Sequence, residues 1–277
     1  MFKVDSFLTK GSSHDICEDY IIHDTEPFPY IILADGCSSS KDTDVGARIL
    51  VHSAKRILGI LGTHLDRVDY KDFGNRTILR AQMIAESMNL PLQCLDATLM
   101  VAFVFDDQWF AMCYGDGSFI VKSIKDNGDI HYQQISFTQN MPYYLSYNIS
   151  PAKRLQYSEK SEEIDNIRQA RFTSSLNPQE ETEDLRMEDP SMIALPLPGT
   201  YMVAITSDGI ESFANRRNGR TIPFQELIPE LVDFKNTNGR FMKRLMGSKR
   251  GVINTYAKHN IHHADDISIG AIIYEEY

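Results

Sequence analysis

Seven acids stand at the ends of apolar runs in this 277-residue chain. "YIILADG" ends in Asp35-Gly36, "AMCYGDG" in Asp116-Gly117 and "MVAITSDG" in Asp208-Gly209, while Glu18-Asp19 opens "DYIIHD" and Asp265-Asp266 opens "ISIGAIIY". A single aspartate before glycine marks a turn. Five such sites are a different matter. If the strands pair at a common end, their carboxylates crowd together, and like charges a few ångströms apart cannot all stay ionised without a cation. Ligands that are all oxygen select a hard divalent ion, Mg²⁺ or Mn²⁺, and the lack of a Cys/His constellation argues against zinc. Two such ions about 4 Å apart, sharing one bridging carboxylate, activate a water for in-line attack on phosphorus. The chemistry to expect is hydrolysis of a phosphate ester with no protein nucleophile.

The elements that must position these acids can be read from periodicity. "DYIIHD" and "PYIILADG" read as two strands joined by the proline-bearing "TEPFP". In "DTDVGARILVHSAKRILGILG" Val45, Ile49, Ser53, Ile57 and Leu61 recur at steps of four, which predicts a helix over about 43–61 capped by Asp42 or Thr43. A second helix is expected around 76–88, with Ile78, Ala81, Ala85 and Met88 on one face. "ATLMVAFVF", "WFAMCYGDG", "SFIVKSI" and "DIHYQQISF" are strands joined by short segments such as "DDQ" and "DNGD", which predicts an antiparallel meander. "GTYMVAITSDG" returns to strand, helices are expected from Pro223 and within "RFMKRLMGSKRGVINTYAKHN", and "ISIGAIIY" is the last strand. Between about 147 and 190 regular signals fade. Residues 159–189 hold ten acids against four bases, six of the chain's ten net negative charges, and read as a solvated insertion in an otherwise single domain spanning 1–277.

A formal charge of −10 excludes a general affinity for nucleic acid, which needs a basic surface. No run approaches the roughly 18 apolar residues of a membrane span, so no membrane association and a cytoplasmic location are expected. Cys17, Cys37, Cys94 and Cys113 form no CxxC pair and read as free thiols. His259, His262 and His263 follow a helix, where they complement its dipole without a ligand role.

The ordered set Glu18-Asp19, Asp35-Gly36, Thr98, Gly115-Asp116-Gly117, Ser207-Asp208-Gly209 and Asp265-Asp266-Ile267-Ser268 resembles the motifs of the metal-dependent protein phosphatases of type 2C, in their bacterial branch. The match runs from about Gly11 to Tyr274. The resemblance implies an α+β fold, a β-sandwich of two antiparallel sheets flanked by helices, with two Mn²⁺ or Mg²⁺ ions at one end and a third, weaker position. It implies that Asp35 bridges the two metals and that the Gly36 carbonyl holds one of them. Asp208 and Asp265 would serve one metal and Glu18 the other, with Asp19 supporting that shell and Asp116 at the third position. Asp35 and Asp208 would then be the acids on which catalysis turns. The activity implied is hydrolysis of phosphoserine or phosphothreonine in proteins, opposite a cognate serine/threonine kinase. Alternatives are a silent phosphatase-like module that scaffolds a partner, or an enzyme for a small phosphate ester. The chain departs from the family pattern in three places. His14 stands where an arginine usually grips the substrate phosphate, the loop after Asp35-Gly36 reads "CSSSKDTDVG", and the usual Asp-Asn reads Asp265-Asp266. His14 donates to phosphate less well than arginine, being charged only part of the time near neutrality.

Overall fold

The computed structural model describes residues 1–61, 69–124, 128–176 and 179–275, with Leu61 described by its backbone alone. The first half of the chain forms β1 (Phe2–Thr9), β2 (Tyr20–Asp24), β3 (Tyr30–Gly36), α1 (Thr43–Leu61), α2 (Tyr70–Ser87), β4 (Ala97–Phe105), β5 (Gln108–Tyr114), β6 (Gly117–Ser123) and β7 (Ile130–Phe137). The second half forms α3 (Pro151–Glu163), β8 (Arg168–Ser174), β9 (Glu181–Leu185), β10 (Met192–Pro196), β11 (Thr200–Thr206), β12 (Phe213–Asn215), α4 (Phe224–Leu231), α5 (Phe241–Gly247), α6 (Val252–Lys258), β13 (Ile261–His263) and β14 (Ile267–Tyr274). Among the described residues the strands build a seven-stranded sheet ordered β1-β14-β11-β6-β7-β8-β9, a five-stranded sheet ordered β10-β5-β4-β3-β2, and a β12-β13 ribbon. All pairings in the two large sheets are antiparallel.

The apolar pattern explains the layering. In β4, Leu99, Val101 and Phe103 face α1 and α2, while Met100, Ala102 and Val104 face the other sheet. A strand buried on both faces reads as a continuous apolar run, which is what "ATLMVAFVF" is. On the far side, α4, α5 and α6 bury Leu227, Phe241, Met246 and Val252 against β11 and β14. The result is the expected α+β sandwich, helices outside and two antiparallel sheets inside.

Several boundaries fall where periodicity places them: β3, α1, β4 and β14 match closely. The side chain of Leu61, last of the predicted apolar steps in α1, and the joint residues Asp126 and Asn127 lie outside the described residues. Four expectations need correction. Helix α2 begins at Tyr70 rather than near Arg76, because Asp69 caps it by accepting from the Asp72 amide at 2.8 Å. The single helix expected over "RFMKRLMGSKRGVINTYAKHN" is two, α5 and α6, separated by Ser248–Gly251. The segment expected to be irregular carries α3, with Ser150 as cap and Pro151 in the first turn, and then β8 and β9, which widen the seven-stranded sheet. The meander is interrupted, because β5 and β6 belong to different sheets. The chain crosses between sheets at Gly115-Asp116-Gly117, and φ values of +105° and +133° at the two glycines make this turn available without strain.

Candidate metal centre

Strand register brings the acids to one end of the sandwich. Tyr20 pairs with Ala34, so Glu18 and Asp19, just before β2, lie beside Asp35 at the end of β3. Thr206 pairs with Ile269 on one side and Ser118 on the other. That register gathers Asp208, the Asp265-Asp266 pair and the crossover residue Asp116 at the same end. Asp35 continues the alternation of Ile31 and Leu33, both of which pack between the sheets, so its carboxylate ends the inter-sheet face. Its amide donates to the Thr98 hydroxyl at 3.3 Å. Gly209 permits the closest approach of two segments: a β-carbon there would stand 1.7 Å from the Asp266 carbonyl oxygen.

Hydroxyls and amides lock this arrangement. Ser207 Oγ donates to Asp19 Oδ2 at 2.9 Å and accepts from the Ser268 amide at 3.0 Å, tying one sheet to the other. Asp266 is buried, and its carboxylate accepts from the amides of Gly11 and Glu18, both at 2.6 Å. Ser212 Oγ accepts from the Asp265 amide at 3.0 Å and donates to the Gly209 carbonyl at 2.6 Å. Thr43, read from sequence as a helix cap, instead donates its hydroxyl to Glu18 Oε1 at 2.9 Å. His14 sits among the acids. Its Nε2 lies 3.2 Å from Asp265 Oδ1, and its Nδ1 lies 3.1 Å from Asp266 Oδ2 and 3.7 Å from Glu18 Oε2. His263 Nδ1 lies 2.9 Å from the Asp265 carbonyl oxygen and serves the backbone there.

The crowding shows in the protonation equilibria. Burial, then the charges of Asp19 and Asp208, hold the Asp35 carboxyl well above the usual carboxylate range. Burial and Asp208 do the same to Asp116 and, less strongly, to Asp265. Asp19 is pushed up to about 7, chiefly by burial. For His14 burial lowers the pKa, but the contact with Asp266 and the charges of Asp265 and Glu18 outweigh it and raise the ring above its ordinary value. Cys17 is pushed up to about 12 by burial and by Asp266, which leaves it an inert thiol.

Among the described residues no three His, Cys, Asp or Glu side chains form a ready-made ligand cluster. The donor chemistry nevertheless fits a hard cation. The converging groups are carboxylates, two of them are pushed toward the neutral form by burial and then by their neighbours, and the buried Asp19 Oδ1 has no hydrogen-bond partner.

Two supports were missed by sequence reasoning. Asp96, buried just before β4, accepts from Ser40 Oγ at 3.0 Å, Ser146 Oγ at 2.6 Å and Lys153 Nζ at 2.8 and 2.6 Å. It thereby fastens α3 to the loop that follows Asp35-Gly36. Glu211, one turn after Asp208, accepts from Gln134 Nε2, and burial followed by Asp208 pushes it up to about 7. Asp96 opens the apolar run "ATLMVAFVF" just as the other acids flank theirs, so its place was a signal that went unread, whereas Glu211 ends no such run and nothing in the spacing marks it.

A family model described as Protein phosphatase 2C matches residues 10–247. No curated protein matches the sequence significantly. Among solved structures, the serine/threonine phosphatase PstP/Ppp of Mycobacterium tuberculosis is similar with a TM-score of 0.51 at 9% identity, over 99% of both chains. PppA, a regulatory component of T6SS in Pseudomonas aeruginosa, gives 0.50 at 13% identity over 98% of this chain and 97% of that one. A sex determining protein of C. elegans gives 0.51 at 15% identity over 98% of this chain, which spans 64% of that protein's chain.

Proposed function

This chain belongs to the protein phosphatase 2C family, and from that premise we propose that it is a metal-dependent phosphoprotein phosphatase acting on phosphoserine or phosphothreonine. The observation that carries the reading is the convergence of Glu18, Asp19, Asp35, Asp116, Asp208 and Asp265 on one end of the sandwich, with Asp35 and Asp116 held above their ordinary range by burial and then by neighbouring carboxylates. When bound there, two Mn²⁺ or Mg²⁺ ions supply the positive charge the carboxylates lack and activate water for attack on phosphorus.

The chain's own residues hold that machinery in register. Asp35 lies at the end of β3 beside Asp19, Asp116 and Asp208 and would hold the ions there, with the Gly36 carbonyl beside it. Asp208 and Asp265 would serve one ion. Glu18, fixed by the Thr43 hydroxyl, would serve the other. Asp19 supports that shell through Ser207, and Asp116 offers a third, weaker position. A cytoplasmic location, opposite a serine/threonine kinase that makes the substrates, belongs to the same reading.

Turnover of a generic aryl phosphate and of a phosphothreonine peptide with Mn²⁺ or Mg²⁺, abolished by chelator, is the expected result. Absence of metal-dependent turnover on both would sink the enzyme. One observation favours a second reading, a phosphatase-like module that binds phosphoprotein without hydrolysing it. His14 replaces a guanidinium, and both its nitrogens face acids. The same assay decides between them.

A further inference from the structure

Beside the acid cleft lies a pocket of about 840 Å³ between α2, α3 and the crossover at Gly115. Its wall contains Arg168, which is 4% exposed. The guanidinium donates to the carbonyls of Arg186 at 3.2 Å and Asp189 at 2.9 Å, and to Ser191 Oγ. All three acceptors are neutral, and among the described residues Arg168 forms no ion pair. Buried charges are normally paired with an opposite charge, so a guanidinium satisfied only by neutral oxygens leaves attraction over for an anion.

Two further cations, Arg154 and Lys71, line the pocket from exposed positions on α3 and α2, also without an ion pair among the described residues. They are accompanied by the Tyr143 and Tyr157 side chains, Tyr157 donating its hydroxyl to the Met141 carbonyl at 2.9 Å. The acids at the pocket, Glu162 and Glu188, are exposed, so three cations face two anions. That balance is positive in a chain of net charge −10.

The pocket and the acid cleft share a wall. Gly115 lines the pocket, and the next residue, Asp116, faces Asp208. Tyr143 and Leu145 line the pocket, while Tyr144 between them lies against Cys37 and Asp116. An extended peptide advances about 3.3 Å per residue, so a substrate whose phosphoresidue enters the cleft carries its near neighbours past this wall. Resting on the phosphatase reading above, we infer that the pocket receives an acidic side chain of the protein substrate a few residues from the phosphorylated one. The lining thereby selects phosphoproteins with Asp or Glu near the target.

The test compares phosphothreonine peptides identical except for Asp or Ala at flanking positions, with an aryl phosphate as the substrate that cannot reach the pocket. The unaltered chain is expected to favour the acidic peptide about tenfold in kcat/KM, through KM, the worth of one charge-assisted contact. Arg154→Glu and Lys71→Glu should each remove most of that preference and leave aryl phosphate turnover unchanged. Arg168→Gln should do the same if it folds, and the two exposed variants decide if it does not. Equal kcat/KM for the two peptides, or a preference that both exposed variants retain, overturns the inference. Fluorescence anisotropy of the labelled peptides separates the two layers. Preferential binding of the acidic peptide without turnover of any substrate sinks the phosphatase reading alone, whereas equal binding sinks the pocket.

Discussion

Replacing Lys153 by methionine keeps the length of the side chain and removes the charge that Asp96 faces. The Asp96 side chain is 6% exposed and that of Lys153 26%, and Nζ lies within 2.8 Å of both carboxylate oxygens. Removing one partner from a fully buried pair costs about 3–5 kcal/mol. Here a quarter of the lysine meets solvent, and the hydroxyls of Ser40 and Ser146 still donate to Asp96, so the expected loss is about 2 kcal/mol. Urea unfolding of the chelated protein reads it as a lower midpoint with an unchanged m-value. The cost should be specific to the pair. In an Asp96→Asn background the same Lys153→Met change should cost less than about 1 kcal/mol, because no uncompensated carboxylate remains. The Cys37 amide donates to the Asp96 carbonyl and the Ser40 hydroxyl to its carboxylate, so Lys153→Met should also speed amide exchange over residues 37–40. A loss below about 0.5 kcal/mol in the parent, within the range of an exposed pair, or equal losses in both backgrounds, would refute the reasoning.

Asp35→Asn and Asp208→Asn should each abolish metal-dependent turnover while far-UV circular dichroism stays unchanged, and full activity in both would show that the ions lie elsewhere. Asp35→Asn should also stabilise the chelated protein by about 1 kcal/mol, since it removes one of several mutually repelling charges. Glu211 is raised from its ordinary value to about 7, chiefly by burial. The proton binds the folded chain more tightly than the unfolded one, so the contribution of Glu211 to stability is full at pH 4 and is lost as pH rises toward 7. Glu211→Gln in chelated protein should therefore match the parent at pH 4 and exceed it at pH 8 by at most about 3 kcal/mol, and a parent equal to the variant at pH 8 contradicts the assignment. His14→Ala should lower the Mn²⁺ concentration needed for half-maximal activity, because the ring beside Glu18 and Asp265 no longer competes for their oxygens, and should leave KM for aryl phosphate within about twofold. A large rise in KM would return His14 to the phosphate.

What could be read from sequence follows from where burial is two-sided. β3, β4 and β14 lie between a helical layer and the other sheet, so their residues form unbroken apolar runs with sharp ends. The acids were legible for the same reason, each being a charge set against the end of such a run. β1 and β9 are edge strands in which Lys3, Asp5, Glu183 and Asp184 interrupt the pattern, and nothing local distinguishes them from loops. Gly115-Asp116-Gly117 satisfies a hairpin and a passage between sheets equally well, and only the partners of β5 and β6 decide. The supports of the site were hidden by distance along the chain. Thr43 reaches Glu18 across 25 positions, Ser212 reaches Asp265 across 53, and Ser207 reaches Asp19 across 188. Hydroxyls whose partners lie so far away leave no periodic trace.

The Ser207–Asp19 bond and the Glu18 amide bond to Asp266 run from the strand ends of one sheet to those of the other. They act as the pin of a hinge. Sliding one sheet past the other by a single residue, about 3.3 Å, would break both together, so the carboxylates of this end move as one body or not at all. A cation held between Asp35 and Asp208 would thus gauge the alignment of the whole sandwich, and a blow to packing far from the cleft would be felt first as a weakened grip on the ion.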